Sequence, residues 1–132
     1  MSNRNYIRTE RAPKAIGAYS QAVRCGQTVW ISGQIPLDPV SMEVIGNSDS
    51  DEGVRSQIEQ VFANLNCICE DSGGSLREIV KLNIFLTDLS KFSQVNEVME
   101  SIFTKPYPAR ATIEISASGI SLRSSLDFAP IF

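Results

Sequence analysis

At 132 residues, 42% of them hydrophobic and 20% charged, the chain has the composition of an ordinary soluble globular protein and is expected to form one domain over residues 1–132. It contains no histidine, and its 12 basic residues are outnumbered by 15 acidic ones. The missing imidazole excludes Ser-His-Asp and Cys-His nucleophilic schemes, histidine metal sites and paired-histidine ribonuclease chemistry, while the net charge of −3 lacks the electrostatic footprint of a nucleic-acid binder. No apolar run approaches the ~18 residues of a spanning helix and the first residues carry no signal-peptide core, so no membrane association and a cytoplasmic location are expected. The three cysteines do not make a disulfide framework. Cys67 and Cys69 would point about 200° apart on a helix and Cys25 sits beside a turn, so all three read as reduced structural thiols.

In chain order, residues 18–24 read as a first strand, with Cys25-Gly26-Gln27 as the turn after it. Residues 28–32 form a second strand in which Val29 and Ile31 share one face and Thr28, Trp30 and Ser32 the other. Residues 33–50 are loop-like, with Pro36 and Pro39. From 51 to 71 the period changes. Val54, Ile58, Val61, Phe62, Leu65 and Cys69 form one stripe of a long helix, capped by Ser50 or Asp51 and ended by Gly73-Gly74.

A strand follows over 79–87, with Val80, Leu82, Ile84 and Leu86 on one face and Lys81, Asn83, Phe85 and Thr87 on the other. A second helix over 90–103 buries Phe92, Val95, Met99, Ile102 and Phe103, and Pro106 and Pro108 stop it. A strand over 111–116 comes next. In the remainder Leu126 and Phe128 suggest a last strand, which Pro130 would restrict to an edge. The order ββ-α-β-α-ββ predicts an α+β two-layer sandwich, a mostly antiparallel sheet with both helices on one face. The other face would carry Trp30, Phe85 and Thr28, large aromatics more typical of an oligomer interface than of bare surface.

Arg110, between Pro108-Ala109 and a strand, could grip a carboxylate with two parallel hydrogen bonds, a fork that lysine cannot reproduce; the alternative is a solvated arginine at a strand start. Tyr19, Ser32 and Asn96 are neutral hydrogen-bonding groups on three different elements, each of which has a purely structural reading as well.

The stretches Ala12-Pro13-Lys14-Ala15-Ile16-Gly17-Ala18-Tyr19-Ser20-Gln21-Ala22 and Ile31-Ser32-Gly33-Gln34-Ile35-Pro36 resemble the two N-terminal signatures of the RidA (YjgF) family. Ile79-Val80-Lys81, Thr87-Asp88-Leu89, Phe92 with Val95-Asn96, and Pro108-Ala109-Arg110 follow in the family's order and approximate spacing. The resemblance runs from about residue 8 to 116. It implies a chorismate-mutase-like α+β fold, a homotrimer with ligand sites between subunits, and no cofactor. The implied activity is hydrolysis of reactive enamine and imine intermediates, chiefly 2-aminoacrylate, to a 2-keto acid and ammonia, a function linked to the pyridoxal-phosphate dehydratases from which those intermediates escape. By position, Arg110 would bind the substrate carboxylate with help from the Thr112 backbone, where the family often has cysteine. Tyr19, Ser32 and Asn96 match positions that line the site or order water, and Gly33 a glycine that lets the chain pass close to the pocket.

The tail departs from that pattern. The family's active branch places a water-activating glutamate in its last strand. Counting from Arg110 without gaps puts Ser125 there; a two-residue insertion puts Asp127 there, and the plain alternative for Asp127 is an edge carboxylate in solvent. The loop before Pro108 is also about three residues shorter than in many members, and Tyr107 is placed to reshape the pocket mouth. Three functions compete: an imine deaminase using Arg110 and Asp127, a non-catalytic trimer that binds small carboxylates such as 2-keto acids, and an endoribonuclease or translation inhibitor, which the absent histidine and acidic balance oppose.

Overall fold

The computed structural model describes residues 3–116 and 124–128. Six strands form one sheet in the order β1-β2-β3-β6-β4-β5, where β1 is Arg4–Ile7, β2 Ala22–Cys25, β3 Thr28–Gln34, β4 Lys81–Leu86, β5 Ala109–Glu114 and β6 Ser124–Phe128. Neighbours pair antiparallel except β4 and β5, which run parallel and are joined through helix α2, Phe92–Ile102. The long helix α1, Asp51–Asp71, connects β3 to β4.

The predicted bounds of α1 match the helix, for local reasons. Ser50 accepts the Gly53 backbone N–H at 3.0 Å, and Asp51 and Glu52 place negative charge in the first turn, where the helix dipole favours it. At the other end Gly73 adopts φ +91° and the Gly74 N–H returns to the Cys69 carbonyl, so the chain leaves the helix through a residue that tolerates a left-handed backbone. The whole predicted stripe, Val54, Ile58, Val61, Phe62, Leu65 and Cys69, is buried. It packs with Val29 and Ile31 of β3, with Leu82, Ile84 and Leu86 of β4, and with Val95, Val98 and Met99 of α2, which puts both helices on one sheet face. The T-shaped contact of Phe62 with Phe103, ring centroids 5.7 Å apart, ties the end of α2 to α1.

Four expectations are corrected. Residues 18–21 are not strand: the Gln21 side chain accepts from the Thr9 N–H and donates to the Thr9 and Pro13 carbonyls, so a side chain takes over what a ladder would supply. Val80 precedes β4 and stays exposed. Phe92 and Ile102 keep a 37% exposure where burial was expected, and Val98 is buried instead. The last strand is not an edge. β6 lies between β3 and β4, with Leu126 opposite Ile84 and Phe128 opposite Leu82; Pro130 follows the strand and lies outside the described residues, so its missing N–H falls outside the described ladder.

β1 had no sequence signal, since all but one of its residues are exposed and it carries no alternation. On the face away from the helices stand Trp30, 54% exposed, half-buried Phe85, and Ile113, which pairs with Phe85 and is 49% exposed. Among the described residues no helix is long and apolar enough to cross a membrane.

Candidate functional site

Arg110 sits one residue into β5, where its register opposite buried Leu82 turns its side chain toward the helix layer. There α2 meets it with three side chains spaced i, i+4 and i+7, one face of a helix. The Phe92 ring lies 4.7 Å from the guanidinium carbon, Asn96 Oδ1 accepts from Nη1 at 2.6 Å, and Met99 Sδ accepts from the same nitrogen at 3.4 Å. All three partners are neutral. Among the described residues no carboxylate forms an ion pair with Arg110. A half-buried, permanently charged group held in place by neutral acceptors and π-density is equipped to receive an anion from outside.

The guanidinium opens on a cleft of about 370 Å³ lined by Asn96, Met99, Glu100, Tyr107, Pro108 and Arg110. Tyr107 therefore does stand at the cleft, as the short preceding loop led us to expect. The sheet edge contributes as well. In the parallel ladder the Ala109 N–H bonds Val80 O at 2.9 Å and the Ile115 N–H bonds Leu86 O at 2.8 Å. Alternation then turns the N–H groups of Arg110 and Thr112 away from β4, toward the side of β5 that no described strand covers. The Thr112 N–H thus points away from the described strands. Its side-chain Oγ1 is buried on the same side of β5 as Arg110, without a hydrogen-bond partner among the described residues.

The remaining site residues gather elsewhere. Tyr19 and Gly33 line a second cleft of about 230 Å³ with Pro13, Lys14 and Ile16. Tyr19 Oη accepts the Ile16 N–H at 3.3 Å and stays half-exposed. Ser32 Oγ donates to Ser20 O at 2.5 Å, so this hydroxyl fastens the 13–20 loop to β3. Between Ile31, opposite Phe128, and Gln34, opposite Leu126, the pairing slips by one residue. Ser32 and Gly33 form that bulge, the usual meaning of a glycine inside a strand pattern. Asp127 occupies the β6 position facing the bulge on one side and Asn83 on the other. Its carboxylate, like residues 117–123 and 129–132, lies outside the described part of the molecule.

One chain therefore presents two groups that share no lining residue: Arg110, Asn96 and Thr112 at the β5 edge, and Tyr19, Ser32 and Gly33 beside β6. The sequence had offered Phe92 as core and, with Val95-Asn96, as one of the family-like motifs, and Met99 only as part of an apolar stripe; their role as supports for Arg110 was carried by the i, i+4, i+7 spacing with Asn96. The cysteines stay out of this chemistry. All three are free thiols, and burial pushes the Cys69 thiol up to about 12, which keeps it protonated and unreactive.

Comparison with known proteins places the chain among relatives. Residues 9–121 match the family model described as Endoribonuclease L-PSP. A protein of Dermatophagoides farinae named 2-iminobutanoate/2-iminopropanoate deaminase is 37% identical over 116 residues, covering 88% of this chain and 87% of that protein. Among solved structures, RidA from the Antarctic bacterium Psychrobacter sp. is 42% identical with a TM-score of 0.89, covering 97% of this chain and 99% of its own. TdcF of E. coli, solved with bound serine, is 31% identical with a TM-score of 0.85, covering 97% and 98% respectively.

Proposed function

The chain belongs to the RidA (Endoribonuclease L-PSP) family, and from that premise we propose that it is an imine deaminase, hydrolysing 2-aminoacrylate and related imines to a 2-keto acid and ammonia. The observation that carries this reading is the Arg110 guanidinium, half-buried, fixed by Asn96, Met99 and Phe92, and without a carboxylate partner among the described residues. The substrate carboxylate takes the vacant side of that cation, with the outward Thr112 N–H beside it. A relative named for imine deamination and a TdcF structure holding serine, a small amino acid with a carboxylate, support the same choice.

The chemistry asks little of the protein. After tautomerisation of the enamine, the C2 carbon of the imine is already electrophilic. Water adds to C2, a proton moves to nitrogen, and the carbinolamine collapses by breaking its C–N bond, releasing ammonia and leaving the ketone. Orientation of the imine and of one water supplies the acceleration, which needs neither imidazole nor cofactor.

In this reading the second group, Tyr19, Ser32, Gly33 and Asp127, comes from a neighbouring copy in a homotrimer. The two groups then close one site between subunits, and Asp127 is the acid that handles the water's proton. The substrates are those that pyridoxal-phosphate dehydratases of serine and threonine release. The test is pyruvate release from 2-aminoacrylate generated in place by a serine dehydratase. Wild type should accelerate it and Arg110→Ala should not. Tight binding of 2-oxobutanoate by wild type without any acceleration would assign a carboxylate-binding protein in place of an enzyme.

A further inference from the structure

Arginine can present two different two-toothed edges to a carboxylate, one formed by Nη1 and Nη2 and the other by Nε and Nη2. In this chain they are not equivalent. Nη1 carries two hydrogens, and two acceptors on α2 already engage that nitrogen, Asn96 Oδ1 at 2.6 Å and Met99 Sδ at 3.4 Å. Nε and Nη2 have no partner among the described residues, and the flat face of the group rests on Phe92 at 4.7 Å. Phe92 is also one of the two helix residues that keep a 37% exposure where the apolar stripe predicted burial, so its ring forgoes core packing to lie against the cation. We infer that Phe92, Asn96 and Met99 form a three-point cradle that presents only the Nε–Nη2 edge of Arg110 to the ligand carboxylate, with Phe92 as a positioning residue that fixes the plane of the guanidinium.

The inference rests on the carboxylate-binding reading of Arg110 and adds which edge binds and what aims it. Asn96 hydrogen-bonds Arg110 through its oxygen, which leaves its Nδ2 donor group as the atom that can face the ligand. Phe92 touches no ligand in this arrangement. Its removal frees the guanidinium to rotate, and the ordering of that side chain must then be supplied on binding.

The test compares wild type with Phe92→Leu, which keeps an apolar side chain without a π-face, and Phe92→Tyr, which keeps the face. Calorimetry with 2-oxobutanoate should show Phe92→Leu binding about threefold to tenfold more weakly and Phe92→Tyr close to wild type. Where turnover of 2-aminoacrylate is measured, KM should rise by the same factor with kcat nearly unchanged, since the clamp acts alike on substrate and transition state. A second measurement needs no variant at position 92. In ¹⁵N-labelled wild type the Arg110 Nε–H resonance, assigned by its loss in Arg110→Ala, should move downfield as 2-oxobutanoate is added. An unmoved Nε–H signal, wild-type affinity in Phe92→Leu, or a Phe92→Tyr as weak as Phe92→Leu overturns the cradle. If Arg110→Ala has meanwhile lost binding, the carboxylate reading stands without it. Wild-type binding by Arg110→Ala overturns both.

Discussion

Arg110 keeps a charge that the described fold does not neutralise, and the shape of that charge is what the site uses. Arg110→Lys preserves the charge but loses the planar fork and its stacking on Phe92. It should weaken 2-oxobutanoate binding at least tenfold in a calorimetric titration, nearly as far as Arg110→Ala; a lysine variant with wild-type affinity would refute the fork. Cys69 gives a residue-scale prediction of the opposite kind. Its folded pKa of about 12 lies above the ordinary thiol value of 9.0, chiefly because burial disfavours the thiolate. Between those values the unfolded chain has lost the proton and the folded chain retains it, so the Cys69 contribution to stability is at its full value below pH 9 and declines at up to roughly 1.4 kcal/mol per unit above it. Urea titrations at pH 8 and pH 10.5 should show a smaller alkaline loss in Cys69→Ala than in wild type. At this scale the sequence revealed Arg110 and Asn96 through residue type and neighbours. Phe92 escaped because periodicity assigns an aromatic on an apolar stripe to the core and cannot register a cation on the next strand.

The elements were legible wherever a strong period met a matching end signal. The Ser50 cap, the apolar stripe and Gly73-Gly74 bounded α1 without help from tertiary structure. β1 was not legible, because an exposed edge strand carries no alternation, and β6 was misplaced because Pro130 was read as part of the strand. Near the start of α1, Gly53 shows how an element answers to its neighbours. Glycine in an exposed helix costs about 1 kcal/mol against alanine, so Gly53→Ala would ordinarily stabilise. Here an added Cβ would meet Asn47 Oδ1 and would stand 2.7 Å from the Asn47 carbonyl oxygen. Asn47 cannot swing aside freely, because its Oδ1 accepts from the Asp49 N–H at 3.0 Å and from the Ser50 hydroxyl at 3.4 Å. The sign should therefore reverse. Gly53→Ala is expected to lose about 1–3 kcal/mol in chemical denaturation, and a gain would show that the 46–50 turn adapts.

Across the whole molecule, the α+β architecture followed from element order, and the uncovered sheet face with Trp30 was legible from alternation alone. The split of the site residues into two groups was not, since sequence spacing says nothing about which residues a single chain can bring together. The division has a genetic consequence. If each site takes its arginine from one subunit and its Tyr19–Ser32 wall from the next, two dead variants can repair each other. Arg110→Ala and a variant lacking the opposite wall, such as Tyr19→Ala with Ser32→Ala, each yield no working junction. Refolded together in equal amounts, they should regain about one quarter of the wild-type sites, because half of the positions supply an intact arginine and half of their neighbours an intact wall. A site built within one chain would regain nothing. Complementation between inactive alleles would then be a property of this protein, and a cell carrying two different defective copies would still possess the activity.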